Sequence, residues 1–117
     1  DTAHKTLEEA IVAARNCGSR KVSLIVNCIA LLTDAKLERW GDWDQRVEYL
    51  QPMLESSFAD LDIAECALKA ARHGDALGQQ SRTDFAWTLA IRQFRLLDFE
   101  ERAEAVRQEW TDQRYGQ

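Results

Sequence analysis

The chain has 117 residues and a formal net charge of −5, with 45% apolar and 30% charged residues. This length predicts one domain, residues 1–117, which is large enough to bury a core without metal or disulfide cross-links. One proline and five glycines argue against a turn-rich all-β fold, and the ordinary apolar content argues against disorder. The acidic balance disfavours nucleic acid as a partner, because duplex-binding domains present a basic face.

The cysteines and the apolar stretches of the sequence indicate where in the cell the protein is expected. Cys17, Cys28 and Cys66 lie in apolar helical patterns without a CxxC spacing, where a free thiol behaves as a small hydrophobe. This pattern favours a reducing cytoplasm. The chain starts without methionine, which leaves a removed export signal as the alternative. The longest apolar stretch, residues 22–32, is interrupted by polar residues and is too short to span a bilayer, so no membrane contact is expected.

Two helices are predicted in the first third of the chain. Thr6 and Glu9 form a capping box, and an apolar stripe follows until Gly18, which predicts a helix over about 6–17. The next segment, about 20–34, is rich in β-branched residues and also fits a strand. No second strand is available to pair with it, so a helix is predicted, with an extension to Arg39 as an alternative.

The segment WGDWD, residues 40–44, is predicted to form the corner before the third helix. Gly41 is expected to end the preceding helix. Asp42 or Asp44 is expected to cap the next helix. Trp43 then opens an apolar stripe at helical spacing.

Pro52 lies inside the apolar run of this third helix. It removes a backbone donor and clashes with the preceding turn, so a kink or break is expected near residues 48–51. An alanine-rich helix is predicted over about 61–72, with Glu65 and Lys69 forming an i,i+4 pair.

Glycine and polar residues predict a loop over about 74–82. Ser81 or Thr83 is expected to cap the following helix, over about 83–97. Residues 98–101 repeat the capping-box pattern, so either a new helix begins there or the helix runs on unbroken.

The helices over about 20–34 and about 83–97 are apolar around most of their circumference, which predicts a central position for both. We therefore expect an all-α fold, a compact bundle of four to six helices. A small chain has difficulty covering two such helices, and the remaining apolar surface predicts a homodimer or a tight complex with a partner. The alternative is that the loops and the kinked helix cover them.

Motifs for catalysis, metals and cofactors are missing. The sequence has no phosphate loop, dinucleotide fingerprint or nucleophile elbow. His4 and His73 lack the carboxylate offset of a helical-bundle metal site, and His73 is interpreted as a helix-dipole partner. Cys17 and Cys28 are separated by a helix break, which disfavours zinc, and Cys66 has no nearby base. We expect no metal, no cofactor and no enzymatic activity.

An acidic ridge is the first candidate interface. Asp44, Glu48 and Glu55 share one helical face beside Trp40 and Trp43, and this combination suits the basic surface of a partner protein. The alternative is a solvated helix face. The apolar stripe of the third helix accounts for Trp43, whereas Trp40 has no such explanation.

Two further groups of residues are candidates. Arg92 and Arg95 lie on the polar stripe of the helix over 83–97, where they need carboxylate partners or form a clamp for a phosphate or carboxylate ligand. Ser23, Asn27 and Ala30 form a small polar stripe on the helix over 20–34. This stripe predicts a helix–helix contact, within the chain or across a dimer.

The sequence therefore favours a small acidic protein that binds another protein in a stoichiometric complex, as an inhibitor, immunity-type factor, adaptor or assembly chaperone. The alternative is a small-molecule-binding or enzymatic bundle, with a pocket between the two most apolar helices and the arginine pair. A weaker alternative is a nucleic-acid-binding regulator that uses Arg15, Arg20 and Lys21.

Overall fold

Helices account for most of the residues that the computed structural model describes, which are Glu9 and residues 20–115. The helices are α1 (Arg20–Lys36), α2 (Trp40–Leu50), a 3₁₀ helix (Gln51–Leu54), α3 (Leu61–Ala76), α4 (Gln80–Leu96) and α5 (Glu100–Tyr115). No strand occurs among these residues, and the predicted all-α bundle of four to six helices is confirmed. The helix predicted over 6–17 lies outside the described residues except for Glu9, which is helical.

Three corners with the same backbone conformation join consecutive helices. They comprise residues 37–39, 77–79 and 97–99, and each begins with leucine. The middle residue of each corner has a left-handed backbone, with φ of 55° at Glu38, 80° at Gly78 and 64° at Asp98.

Each corner closes with the same backbone hydrogen bonds. The third residue donates to the carbonyl five residues earlier, as in the 2.8 Å bond from Arg39 to Asp34 and the 2.9 Å bond from Phe99 to Phe94. The middle residue donates to the carbonyl three residues earlier. This is the Schellman motif, which satisfies the last carbonyls of a helix without help from side chains.

The corner predicted at residues 40–44 is therefore wrong by a few positions. Helix α2 begins at Trp40, so Gly41 and Asp42 lie in its first turn rather than at a helix end. The left-handed position is filled by Glu38, a residue type that seldom adopts this conformation.

The loop predicted over 74–82 is also too long. Helix α3 continues to Ala76 and α4 starts at Gln80, so Ser81 and Thr83 are helical rather than capping residues. Gly74 lies inside α3, and glycine is needed there because a Cβ atom would overlap Cγ2 of Thr83.

The predicted break at Pro52 is confirmed. Helix α2 ends at Leu50, and Pro52 lies in the first turn of the 3₁₀ helix. Helix α3 begins after Asp60, whose carboxylate accepts a 2.8 Å hydrogen bond from the backbone N–H of Asp62.

Helices α4 and α5 are separate. Of the two predicted alternatives, a new helix after residue 97 is therefore the correct one. The predicted capping role of Asp98 is wrong, because this residue takes the left-handed position of the corner.

The core is centred on α3 and α4. Helix α3 packs against α1 and α4, and α4 also packs against α5. The contact face of α3 consists largely of small buried residues, which allow the neighbouring helices to approach closely. These residues are Ala64, Ala67, Ala70, Ala71 and Gly74. Helix α3 is therefore central as well, although a central position was predicted only for the segments 20–34 and 83–97. None of the described helices combines the length and the apolar character needed to cross a membrane.

Candidate functional site

A groove of about 450 Å³ lies between α4 and α5, with one residue of the 3₁₀ helix at its edge. We refer to it as the α4–α5 groove. Its apolar lining consists of Leu54, Ile91, Leu96 and Trp110, and its polar lining consists of Thr88, Arg92, Arg95 and Arg107. The groove therefore combines an apolar floor with three guanidinium groups.

Helical spacing brings these residues to one side of each helix. Thr88, Arg92 and Arg95 are three or four residues apart on α4, so they share one face. Trp110 is held in place by a 3.3 Å hydrogen bond from its Nε1 to Asp84 Oδ1. This bond orients the Trp110 ring in the apolar floor of the groove.

The three arginines are engaged to different degrees. Arg92 donates from Nε and Nη2 to the carbonyl oxygen of Ser56, at 3.2 and 2.7 Å. Arg95 makes two long contacts, 3.4 Å to Glu100 and 3.3 Å to Glu104.

Arg107 donates from Nε to Glu104 Oε1 at 2.7 Å. This hydrogen bond lowers the pKa of Glu104, and the charge of Arg95 lowers it further. Arg92 and Arg95 therefore line one groove as the clamp hypothesis requires. However, the groove lies between α4 and α5 and not between the segments 20–34 and 83–97.

The two tryptophans of the predicted acidic ridge have different environments. Trp43 is fully buried and belongs to the core. Trp40 is half-buried, packs edge-on against Trp43 with ring centroids 5.6 Å apart, and lies 5.9 Å from the guanidinium carbon of Arg82. Trp43 therefore presents no surface to a partner, whereas the Trp40 side chain is partly exposed.

The acidic residues of the ridge are exposed. Asp44 accepts two hydrogen bonds from Arg82, at 3.0 and 3.1 Å, so its charge is compensated within the chain. Glu48 and Glu55 are exposed and make no hydrogen bond or ion pair within the described part of the chain. The uncompensated charge of the ridge is thus reduced to two carboxylates.

The small polar stripe of α1 faces α2. Ser23, Asn27 and Ala30 are buried. Ser23 Oγ lies 3.0 Å from the hydroxyl oxygen of Tyr49, and Asn27 Oδ1 accepts a 3.3 Å hydrogen bond from Arg46 Nη1. The structure places this stripe at a helix–helix contact within the chain.

Two buried ion pairs were not predicted. Arg46 Nε donates to Asp34 Oδ2 at 2.6 Å, between α1 and α2, and both side chains are nearly inaccessible. Asp75 is a second buried carboxylate, with Arg114 Nη1 3.0 Å from its Oδ2. Burial of Arg114 disfavours its charged form, but hydrogen bonds to Asp75 and Asp84 outweigh this effect and raise the pKa.

Asp75 joins three helices. Besides Arg114 of α5, its carboxylate accepts hydrogen bonds from the Thr83 hydroxyl and, at 3.0 Å, from Trp87 Nε1 of α4. Its oxygens are therefore occupied, and we assign it a structural role. No local sequence pattern could reveal it, because Arg114 is 39 residues away.

The remaining charged residues named from the sequence either have other neighbours than predicted or lie outside the described residues. The predicted Glu65–Lys69 pair is wrong, because Glu65 pairs with Arg102 of α5. Lys21 lies 5.5 Å from the ring centroid of Phe58. The side chain of Arg20 and all of Arg15, His4 and Cys17 lie outside the described residues.

The cysteine thiols and the possible metal ligands were also considered as candidate functional groups. Burial raises the pKa of Cys28 to about 12 and also raises that of Cys66, so both thiols are protonated and poorly nucleophilic at neutral pH. Within residues 20–115 and Glu9, no group of three or more histidine, cysteine or acidic side chains is placed to hold a metal ion.

No protein-family model, curated protein or solved structure matches this chain.

Proposed function

We propose that the protein is a non-catalytic binding module that forms a stoichiometric complex with another protein through the α4–α5 groove. The observation that carries this proposal is the combination of an apolar floor and an arginine rim in one groove between two helices. Grooves between helices commonly receive the apolar side chains of a partner segment. Tryptophan and arginine are also the residue types that dominate binding energy at protein interfaces.

The rim indicates the chemistry of the partner. Arg92, Arg95 and Arg107 face the groove, whereas Glu104 is shared between two of them. The contacts of Arg95, at 3.3 and 3.4 Å, are longer than the 2.7–2.9 Å typical of charge-assisted hydrogen bonds. Arg95 can therefore donate to an incoming carboxylate, and we expect a partner segment with an apolar anchor beside an acidic residue.

The experiment compares two substitutions that add the same negative charge. Thr88→Glu places a carboxylate inside the groove, where it competes for Arg92 and Arg95. Ala105→Glu places one on the exposed outer side of α5. Both positions are exposed and helical, so both variants should fold.

Peptides are selected on the immobilised parent protein from a random library, and their Kd values are measured by fluorescence anisotropy. We expect the selected peptides to combine an apolar anchor with an acidic neighbour. Thr88→Glu should weaken their binding by roughly tenfold or more, the loss of about one charge-assisted hydrogen bond, and Ala105→Glu should leave it unchanged. Equal affinity for the parent and Thr88→Glu would contradict the proposal.

A small-molecule ligand is the second candidate. The groove volume of about 450 Å³ falls within the roughly 300–1,000 Å³ of ligand pockets. An aryl or alkyl carboxylate would fit the apolar floor and the arginine rim. A thermal-shift screen of such acids should raise the Tm of the parent but not that of Thr88→Glu, and a flat screen would count against this candidate.

The acidic surface and the homodimer remain predictions. Glu48 and Glu55 offer a second contact for a basic region of the same partner. Leu96 and Phe99 are 38% and 44% exposed at the corner between α4 and α5, which supports an apolar contact there. A monomer mass in light scattering at all concentrations would refute the homodimer.

A cytoplasmic location is a further expectation. Cys28 and Cys66 are free thiols in the structure, and this agrees with a reducing compartment.

A further inference from the structure

A second concavity, of about 430 Å³, lies between the C-terminal parts of α1 and α3. We call it the basic pocket. Its lining consists of Leu32, Lys36, Lys69, Arg72, His73 and Ala76. No acidic side chain is among these residues, although the chain as a whole carries a net charge of −5.

Three of the basic side chains have no partner within the chain as described. The side chains of Lys36, Lys69 and His73 make neither a hydrogen bond nor an ion pair with any residue of the described segments. Lys69 is left without its expected partner because Glu65 pairs with Arg102 instead. The two ammonium groups are exposed and uncompensated, close to a third basic group.

Arg72 is held in a fixed orientation at the same site. Its Nε and Nη2 donate to the two carboxylate oxygens of Glu109, both at 2.8 Å. This fork leaves Nη1 available for another acceptor, because the described residues provide none for it. A planar donor held in this way loses little freedom when it binds a ligand.

Helix capping does not explain the cluster. Basic side chains near a helix C-terminus often serve the last carbonyl groups or the helix dipole. Here the backbone N–H groups of the two corners already bond the carbonyls of Asp34, His73 and Gly74, among others. Lys69 and Arg72 also precede the last turn of α3, where the dipole effect has faded.

We propose that the basic pocket binds a phosphorylated anion with two or more negative charges, such as a diphosphate group. Lysines bind phosphate as point charges, and arginine adds directed hydrogen bonds. A multiply charged anion matches the combined charge of Lys36, Lys69 and Arg72 better than a single carboxylate does. Leu32 and Ala76 provide a small apolar contact for the remainder of the ligand.

Inorganic pyrophosphate is the first probe, titrated into the whole chain by isothermal calorimetry. The test variant Lys36→Gln/Lys69→Gln removes two pocket charges. The control Lys21→Gln/Arg39→Gln removes two exposed charges from outside the pocket. All four side chains are exposed, and unchanged far-UV circular dichroism verifies that both variants are folded.

We expect pyrophosphate to bind the parent and the control alike, and to bind the pocket variant at least about tenfold more weakly, since hydrogen bonds to charged groups contribute at least this factor. A second arm uses phosphatidylcholine vesicles with and without phosphatidylinositol phosphates. Binding in this arm with the same dependence on the two lysines would assign the phosphate to a lipid headgroup.

Binding of pyrophosphate alone would assign the phosphate to a soluble ester. The proposal is overturned if neither probe binds, or if the control variant loses as much affinity as the pocket variant. Thr88→Glu should bind both probes like the parent, so this test is independent of the α4–α5 groove.

Discussion

Replacing Gly74 with alanine tests how closely α3 and α4 approach near their corner. Helix propensity alone would favour alanine by about 1 kcal/mol in the interior of a helix. A Cβ atom at this position, however, would overlap Cγ2 of Thr83 and lie 3.7 Å from Cη2 of Trp40. Thr83 is fully buried, and its hydroxyl donates to the Asp75 carboxylate, so it cannot rotate away without losing this bond.

The expected cost follows from these contacts. Inserting a methyl group into a closely packed interior costs about 1–3 kcal/mol. A displaced Thr83 hydroxyl would add about 1 kcal/mol for the weakened hydrogen bond. Against the gain of about 1 kcal/mol in helix propensity, Gly74→Ala should lower the free energy of unfolding by about 1–3 kcal/mol.

Urea denaturation followed by circular dichroism measures this change, and two matched substitutions isolate its cause. Gly41→Ala adds a methyl group in α2 with no atom within 4 Å, so it should raise stability by up to about 1 kcal/mol. Thr83→Ser removes Cγ2 and retains the hydroxyl, so Gly74→Ala should cost less in that background. A parent-like or higher stability of Gly74→Ala, or additivity with Thr83→Ser, would refute the reasoning.

Four other predictions concern buried and strained groups. Asp75→Ala should lower the free energy of unfolding by about 3 kcal/mol, because it removes the acceptor of the buried Trp87 Nε1–H and Thr83 hydroxyl and leaves Arg114 with Asp84 as its ion-pair partner. Asp44→Ala, at an exposed pair, should lower it far less, and equal losses in urea titrations would contradict this. Cys28 should react with iodoacetamide far more slowly than Cys66 in the native protein, as read by peptide mass mapping, and similar labelling would show that Cys28 is accessible. Because the folded pKa of Cys28 is raised from 9.0 to about 12, its contribution to stability is present below pH 9 and is lost as the pH rises towards 12. Glu38→Gly should raise stability by up to about 1 kcal/mol by relieving a left-handed backbone, and a lower urea midpoint would argue against strain at that residue.

The sequence predicted the all-α fold and the approximate positions of the helices within residues 20–115, because their apolar residues recur at helical spacing. The helix ends were less predictable, because glycine was read as the residue that stops a helix. Gly41 and Gly74 both lie within helices, whereas two of the three left-handed positions hold Glu38 and Asp98. The corners are closed by backbone hydrogen bonds, which leave little trace in side-chain composition.

Long-range polar contacts were beyond sequence reasoning for a different reason. The need of Arg92 for a partner was predicted, but its partner is the backbone carbonyl of Ser56, 36 residues away, and not a carboxylate. The basic pocket was missed because Lys36 lies on α1 and Lys69 on α3, and only the packing of the two helices brings them together.

The three matching corners also bear on how the chain folds. Each is closed by bonds within six residues, so neighbouring helices can dock with little loss of loop entropy. The connection before α3 is longer, and Gln93 of α4 fixes it by bonding the carbonyl of Phe58 and the N–H of Asp60, at 3.0 and 2.9 Å. We therefore expect α3–α5 to assemble early and the α1–α2 pair to dock late. In stopped-flow measurements, Gln93→Ala should refold more slowly than the parent. An unchanged refolding rate would show that the two hydrogen bonds of Gln93 form after the rate-limiting step.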